Sequence, residues 1–325
     1  MATAPATCVA VDGPSVADLT PIARAARGKE ITGLEIFQRT TDDFTAARAE
    51  ELMSEMNRDE PTGGTDMAYG TGDAQRLRFW KAKSQAPKSQ APIILFVHGG
   101  SWKSGTYLDS IGSAKVIHLT NMGYAFATVN YTLVPSVTVE KQVQEVADSL
   151  GYLIKDAARL EFDPKRAVLM GHSSGAHVVT LLGTDSSYLE RAGVSIHSVQ
   201  AVISLDGSNY NAMAEIVDSP GPVAENMIYG LGADPKRLRA MSPTYHAHAP
   251  NAGAFLLLHV QRQGDIRQAV ELVAALDAAG TNTALHVFEG QSFEGHMQML
   301  LRIGDPTYPA TLVMDNWLKM HVPVA

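Results

Sequence analysis

The stretch Val168-Leu169-Met170-Gly171-His172-Ser173-Ser174-Gly175 decides how the rest of the chain is interpreted. An apolar run typical of a buried strand is followed by G-x-S-x-G, and a helical pattern begins near Ala176. A side chain larger than hydrogen at position 171 or 175 would collide with the neighbouring strand or helix, which accounts for both glycines. The pattern predicts a nucleophile elbow, a sharp strand-to-helix turn that exposes the Ser173 hydroxyl at the end of a sheet.

The composition is that of an ordinary globular protein. The chain has 325 residues, 45% of them apolar, which is enough for one large α/β domain or two smaller ones. Its 26 basic and 34 acidic residues form no block of like charge, so neither nucleic acid nor an anionic membrane is an expected partner. Cys8 is the only cysteine, so no intramolecular disulfide is expected. No signal-peptide or membrane-spanning pattern occurs, and we expect a cytoplasmic protein unless a leader has been removed.

Helical and strand patterns divide the chain into two parts. Residues 1–70 predict an N-terminal helical segment that contributes to a cap, with a helix-capping signal near Thr41. From Ile93 onward apolar strands alternate with helices, which indicates a mostly parallel sheet with helices on both faces. An insert over about residues 206–251 interrupts this alternation with glycines, prolines and methionines, and predicts the rest of a helical cap. We assign residues 71–325 to one α/β domain.

A second motif, His98-Gly99-Gly100-Ser101-Trp102, follows a predicted buried strand and begins 75 residues before Ser173. Both motifs stand at the carboxyl ends of predicted parallel strands. Together they resemble the α/β-hydrolase superfamily, more narrowly its esterase and arylformamidase-like branch with an H-G-G-x-W loop, over roughly residues 75 to 322. The resemblance implies the α/β-hydrolase fold. It also implies an oxyanion hole formed by the backbone N–H groups of Gly100, Ser101 and Ser174, where each donor contributes on the order of 3 kcal/mol.

A serine nucleophile needs a base, and the resemblance implies the chain order Ser, acid, His. Beyond the elbow and its helical pattern, the other histidines fall in strand patterns, in the insert or at the terminus: His197, His246, His248, His259, His286 and His321. His296 instead follows the last predicted strand, in a predicted loop, which is where the superfamily places its base. We therefore expect His296 to be the catalytic base.

Two aspartates are candidates for the acid that orients this base. Asp265 follows a predicted strand and is separated from His296 by one helix and one strand, so we choose it, with a helix-capping role as its alternative. Asp206 follows the preceding strand and is the competing candidate. We expect it to shape the cap entrance or to cap the next segment.

The side chains around the expected site predict a covered, apolar and partly aromatic pocket. We expect the substrate to contact Trp102, Tyr210, Met213, Met227, Tyr229 and Met297. The basic residues at 236–239 are typical of a solvated helix face, so the sequence favours a neutral substrate. A closed cap favours short or medium acyl groups, or a compact aromatic ester.

These residues predict a carboxylesterase-type serine hydrolase that works through an acyl-enzyme intermediate. The main alternative is an arylformamidase or amidase acting on N-formylkynurenine-like substrates, because both reactions use the same oxyanion hole and triad. A non-catalytic binding protein is less favoured, since it would not need Ser173, His296 and Asp265 in register. Neither metal-ligand spacing nor a nucleotide-binding glycine pattern occurs, so no metal or cofactor is expected, and a homodimer is left open.

Overall fold

The computed structural model describes residues 61–83, 91–108 and 111–324. The helices predicted in residues 1–60 lie outside the described residues. At the end of the predicted N-terminal helical segment, Thr65–Ala68 form a strand.

The described residues contain one sheet of eight strands, in the spatial order β1-β2-β4-β3-β5-β6-β7-β8. Strands β1 and β2 are antiparallel to their neighbours, and β4, β3, β5, β6, β7 and β8 are parallel. The strands are β1 (Thr65–Ala68), β2 (Arg76–Trp80), β3 (Ile93–Val97), β4 (Ala125–Val129), β5 (Ala167–His172), β6 (Val199–Leu205), β7 (Ala254–His259) and β8 (Asn282–Val287).

Twelve α-helices connect and cover these strands in the part of the chain that the structure describes. They are α1 (Ser113–Asn121), α2 (Val139–Lys155), α3 (Ala157–Leu160), α4 (Ser174–Thr184), α5 (Ser186–Arg191), α6 (Ala212–Asp218), α7 (Pro222–Leu231), α8 (Pro235–Ala240), α9 (Pro243–His246), α10 (Gln263–Ala278), α11 (Ser292–Arg302) and α12 (Pro309–His321). Helices α6 to α9 occupy the stretch between β6 and β7, where the sequence predicts a helical insert. None of the described helices is long and apolar enough to cross a membrane.

Helices cover both faces of the central strands, as their uninterrupted apolar sequences predict. Every residue of β3 and of β4 is buried. Leu95 joins a core that also contains residues of α2 and α4. Phe96 points to the opposite face, where it stacks against Phe126 and lies 4.9 Å below the Lys115 ammonium of α1. The predicted mostly parallel sheet between two helical layers is confirmed.

The parallel register brings the carboxyl ends of β3, β5, β6, β7 and β8 to one edge of the sheet. The segments that follow these ends carry Ser101, Ser173, Asp206, Arg262 and His296, in chain order. Ligand sites of open parallel sheets form at this edge, because the loops leaving adjacent strands converge there.

Candidate active site

Ser173 lies at the turn between β5 and α4. Its backbone has φ 57° and ψ −125°, a conformation that costs a non-glycine residue about 1–3 kcal/mol. The turn is tightly packed: a Cβ at Gly175 would lie 2.2 Å from the carbonyl oxygen of Val97. The Ser173 N–H donates to the carbonyl of Leu205 at 3.1 Å. The strained strand-to-helix turn that the sequence predicts is therefore present.

The loop after β3 packs directly against this turn. A Cβ at Gly99 would lie 2.8 Å from both the His172 carbonyl oxygen and the Ser173 Cβ, so only glycine permits this approach. The N–H groups of Gly100, Ser101 and Ser174 form no hydrogen bond with other described residues, and Ser174 opens α4, where helix N–H groups lack partners. Ser101 and Ser174 also line the cavity that contains Ser173, whereas Gly100 is not among the residues that line it.

His296 lies in α11 instead of the loop that the sequence predicts, because the helix already begins at Ser292. It lines the same cavity as Ser173. The centroid of its ring lies 4.3 Å from that of His172, with the two planes tilted by 34°, and the Nε2–H of His172 donates to the His296 carbonyl at 3.0 Å. Burial lowers the pKa of His296, and the nearby charge of Arg262 lowers it further. The imidazole is thus held neutral in a fixed orientation.

Asp206 is the carboxylate that contacts His296. Its Oδ2 lies 2.6 Å from His296 Nδ1, and its Oδ1 accepts the Val260 N–H at 3.0 Å. A carboxylate oxygen this close requires a proton on Nδ1, which leaves Nε2 unprotonated and able to act as a base. Burial alone would raise the pKa of Asp206, but its contacts with His259 and His296 and the charge of Arg262 hold the pKa well below its usual range.

The expectation that Asp265 orients His296 is contradicted by the structure. Asp265 lies in the first turn of α10, where its Oδ2 pairs with Nη2 of Arg262 at 2.8 Å. No hydrogen bond between Asp265 and His296 is formed in the described residues. The other terminal nitrogen of Arg262, Nη1, is 3.0 Å from His296 Nδ1, so the guanidinium stands between Asp265 and the imidazole. Burial raises the pKa of Asp265 well above its usual range.

Further buried polar groups surround Asp206. Nδ1 of His259 lies 3.4 Å from Asp206 Oδ1, without the alignment of a hydrogen bond. On the other side of the His259 ring, Nε2 is 3.1 Å from the Tyr210 hydroxyl, which is 2.5 Å from the Ser204 hydroxyl. Tyr210 is completely buried in this network, so its predicted contact with substrate is wrong.

The cavity at Ser173 has a volume of about 400 Å³ and is more polar than the sequence predicts. Trp102 and Met227 line it as expected. The remaining walls carry serines, amides, a guanidinium and apolar groups, contributed by Ser101, Ser174, Ser208, Asn209, Val223, Asn226, Arg262, Ser292 and Phe293. Sequence reasoning missed most of these residues, although Val223, Asn226 and Met227 have the i, i+3, i+4 spacing of one helix face.

Besides Tyr210, three more of the residues expected to bind substrate lie outside the cavity lining. Tyr229 is 55% exposed, because it lies on the face of α7 opposite the cavity. Met213 on α6 is 41% exposed. Met297 is buried and follows His296 directly in α11. Consecutive side chains of a helix are about 100° apart around its axis, so Met297 does not line the cavity that His296 lines.

Metal-ligating side chains do not cluster in the described ranges. No group of three or more His, Cys, Asp or Glu residues there is arranged to hold a metal ion. The arrangement around Ser173 offers a hydroxyl, an oriented imidazole and free N–H donors, which together can perform acyl transfer.

Comparisons with known proteins find esterases and a formamidase among the similar sequences. The chain is similar to esterase LipQ of Mycobacterium tuberculosis, with 23% identity, covering 67% of this chain and 54% of the relative. It is also similar to kynurenine formamidase of Drosophila melanogaster, with 30% identity, covering 35% of each protein. The chain thus spans about half and about a third of the length of these relatives.

Among solved structures, esterase B of Lactobacillus rhamnosis superposes with a TM-score of 0.66 at 18% identity, covering 84% of this chain and 90% of that one. This likeness establishes the α/β-hydrolase fold. A family model described as BD-FAE matches residues 82–276, more than half of the chain. The chain therefore belongs to the BD-FAE family, a family of α/β-hydrolase esterases.

Proposed function

We propose that this protein is a carboxylesterase-type serine hydrolase acting through an acyl-enzyme intermediate. The observation that carries the proposal is the 2.6 Å contact between His296 Nδ1 and Asp206 Oδ2, in the cavity that also contains Ser173. The similarity to esterase LipQ supports the reaction class.

In the proposed mechanism each group has its own role. Ser173 Oγ attacks the ester carbonyl while His296 Nε2 removes its proton. The N–H groups of Gly100, Ser101 and Ser174 stabilise the tetrahedral oxyanion. His296 then protonates the leaving alkoxide, and water, activated by the same imidazole, releases the acid from Ser173. Asp206 fixes the imidazole tautomer and stabilises the imidazolium that forms in each half-reaction.

The cavity favours a compact, neutral substrate. Arg262 is the cationic side chain among the residues that line it, and its charge is already matched by Asp206 and Asp265. The apolar part of the lining, Trp102, Val223, Met227 and Phe293, suits an alkyl or aryl group, whereas the serines and amides suit its polar substituents.

A series of p-nitrophenyl esters from acetate to palmitate tests this proposal. Each methylene gains about 0.8 kcal/mol of binding only while there is space to bury it. In a cavity of about 400 Å³ we expect kcat/KM to be highest for short or medium acyl groups and to fall for long ones. A maximum at palmitate would contradict the size limit, and no turnover of any ester would contradict the esterase proposal itself.

Formamide hydrolysis is the second candidate, and the similarity to Drosophila kynurenine formamidase favours it. Amide cleavage requires His296 to protonate the leaving amine, a demand that an activated ester does not make. We expect kcat/KM for p-nitrophenyl acetate to exceed that for N-formylkynurenine. A formamide rate about a hundredfold above the ester rate would reverse this order, because such a ratio corresponds to about 2.7 kcal/mol of transition-state discrimination.

A further inference from the structure

Arg262 lies between two buried carboxylates and the imidazole. Its Nη1 donates to Asp206 Oδ2 at 2.7 Å and is 3.0 Å from His296 Nδ1, while its Nη2 pairs with Asp265 Oδ2 at 2.8 Å. The Arg262 side chain is 20% exposed, and the two carboxylates are 0% and 3% exposed. One guanidinium therefore bridges both acidic groups at the site.

The guanidinium and the imidazole compete for the same carboxylate oxygen. Because guanidinium has no lone pair to accept with, Arg262 and a protonated Nδ1 of His296 cannot hydrogen-bond to each other. Both donate instead to Asp206 Oδ2. If Nδ1 accepted from Arg262, it would face Asp206 across 2.6 Å without a proton between them, which is strongly unfavourable.

From these contacts we infer that Arg262 is a positioning residue, which holds Asp206 as the partner of His296 and keeps Asp265 away from the imidazole. The inference rests on the proposed hydrolase function, in which His296 is the base. Arg262 acts through Asp206 and His296, and no contact of its own with the reacting atoms is required.

The charge of Arg262 also sets how readily His296 accepts a proton. The groups that face His296 are Asp206, Arg262, His259 and His172. The charges of Asp265 and Glu215 act on Arg262. Burial holds the pKa of His172 well below its usual range, so this neighbour stays neutral. Removing Arg262 would leave Asp206 as the dominant charge beside the imidazole. The pKa of His296 would then rise, and the base would be lost at a higher pH.

The test compares Arg262→Gln, Arg262→Lys and the wild type by kcat/KM on p-nitrophenyl acetate from pH 5 to pH 9. For Arg262→Gln we expect the ratio of kcat/KM at pH 5.5 to that at pH 8 to fall about fivefold or more, because a protonated His296 cannot act as a base. Arg262→Lys keeps the charge and is expected to keep the wild-type ratio. Arg267→Gln is the matched control, since Arg267 lies on α10, which begins directly after Arg262, and pairs with Asp218 at the surface.

An unchanged pH profile in Arg262→Gln would overturn the inference, as would the same change in both Arg262 variants. If Arg262→Gln does not fold, nitrogen NMR of the histidines in the wild type supplies the answer. Neutral His296 with its proton on Nδ1 supports the arrangement, and a proton on Nε2 overturns it. The NMR measurement does not depend on turnover. A wild type that cleaves no ester would contradict the proposed function, whereas the inference about Arg262 would still be decided by the spectrum.

Discussion

Replacing Ser173 by alanine is expected to lower kcat/KM for p-nitrophenyl acetate by about 10⁵-fold or more. The variant keeps the oxyanion donors and the imidazole, but no hydroxyl remains to form the acyl-enzyme. The residual rate should be the one that binding and electrostatic stabilisation alone supply, about 10³ to 10⁴ above the reaction in water. Thermal melting should be nearly unchanged, because the substitution removes one oxygen that lines a cavity.

A fluorophosphonate probe provides a second measurement of the same prediction. The wild type should be labelled stoichiometrically at Ser173, and Ser173→Ala should not be labelled. Ser186→Ala is a matched control, since Ser186 lies on α5 and donates to Glu190 at 2.7 Å, away from the cavity. Full turnover in Ser173→Ala would disprove the assignment of the nucleophile. Folded wild type that neither labels nor turns over any ester would instead indicate a binding protein built on a hydrolase fold.

The sequence predicts the elbow and the sheet well because their signals are local. Gly171 and Gly175 are required by the turn itself, and the apolar run before them is required by burial on both faces. The chain order Ser, acid, His, which the resemblance implies, directs the search to His296 and does not depend on knowing how the loops pack. The placement of His296 in a loop is wrong, because the boundary of α11 depends on packing that the local pattern does not contain.

The acid could not be chosen in the same way. Asp206 and Asp265 each follow a buried strand, and β6 and β7 are neighbours, so both carboxylates reach the same edge of the sheet. The choice between them depends on the direction of each side chain and on the position of the Arg262 side chain, three residues before Asp265. No sequence pattern predicts either of these two factors. The expectation that Tyr229 of α7 contacts substrate failed for a related reason. Ile228 and Tyr229 make its outer face as apolar as the face that lines the cavity.

Exchanging each aspartate for asparagine separates the two candidate acids. Asp206→Asn is expected to lower kcat for p-nitrophenyl acetate by about 10⁴-fold at pH 8, because an amide no longer secures the proton on His296 Nδ1 and the wrong tautomer forms. Asp265→Asn should lose less than about tenfold, since Asp265 makes no hydrogen bond to His296 and acts on it only through Arg262.

Melting temperatures of both variants must be measured as well, because they distinguish a folding defect from a loss of catalysis. Asp206→Asn leaves Arg262 with one carboxylate partner and gives the Val260 N–H a weaker acceptor, an amide oxygen in place of a carboxylate. The melting temperature of this variant should therefore fall along with its activity. If Asp206→Asn is folded at the assay temperature and still active while Asp265→Asn is not, then Asp265 orients His296 during turnover. In that case Arg262 would have to move aside when substrate binds. Because His296 and Arg262 already contact Asp206 Oδ2 at 2.6 Å and 2.7 Å, we expect Asp206→Asn to lose activity and Asp265→Asn to keep it.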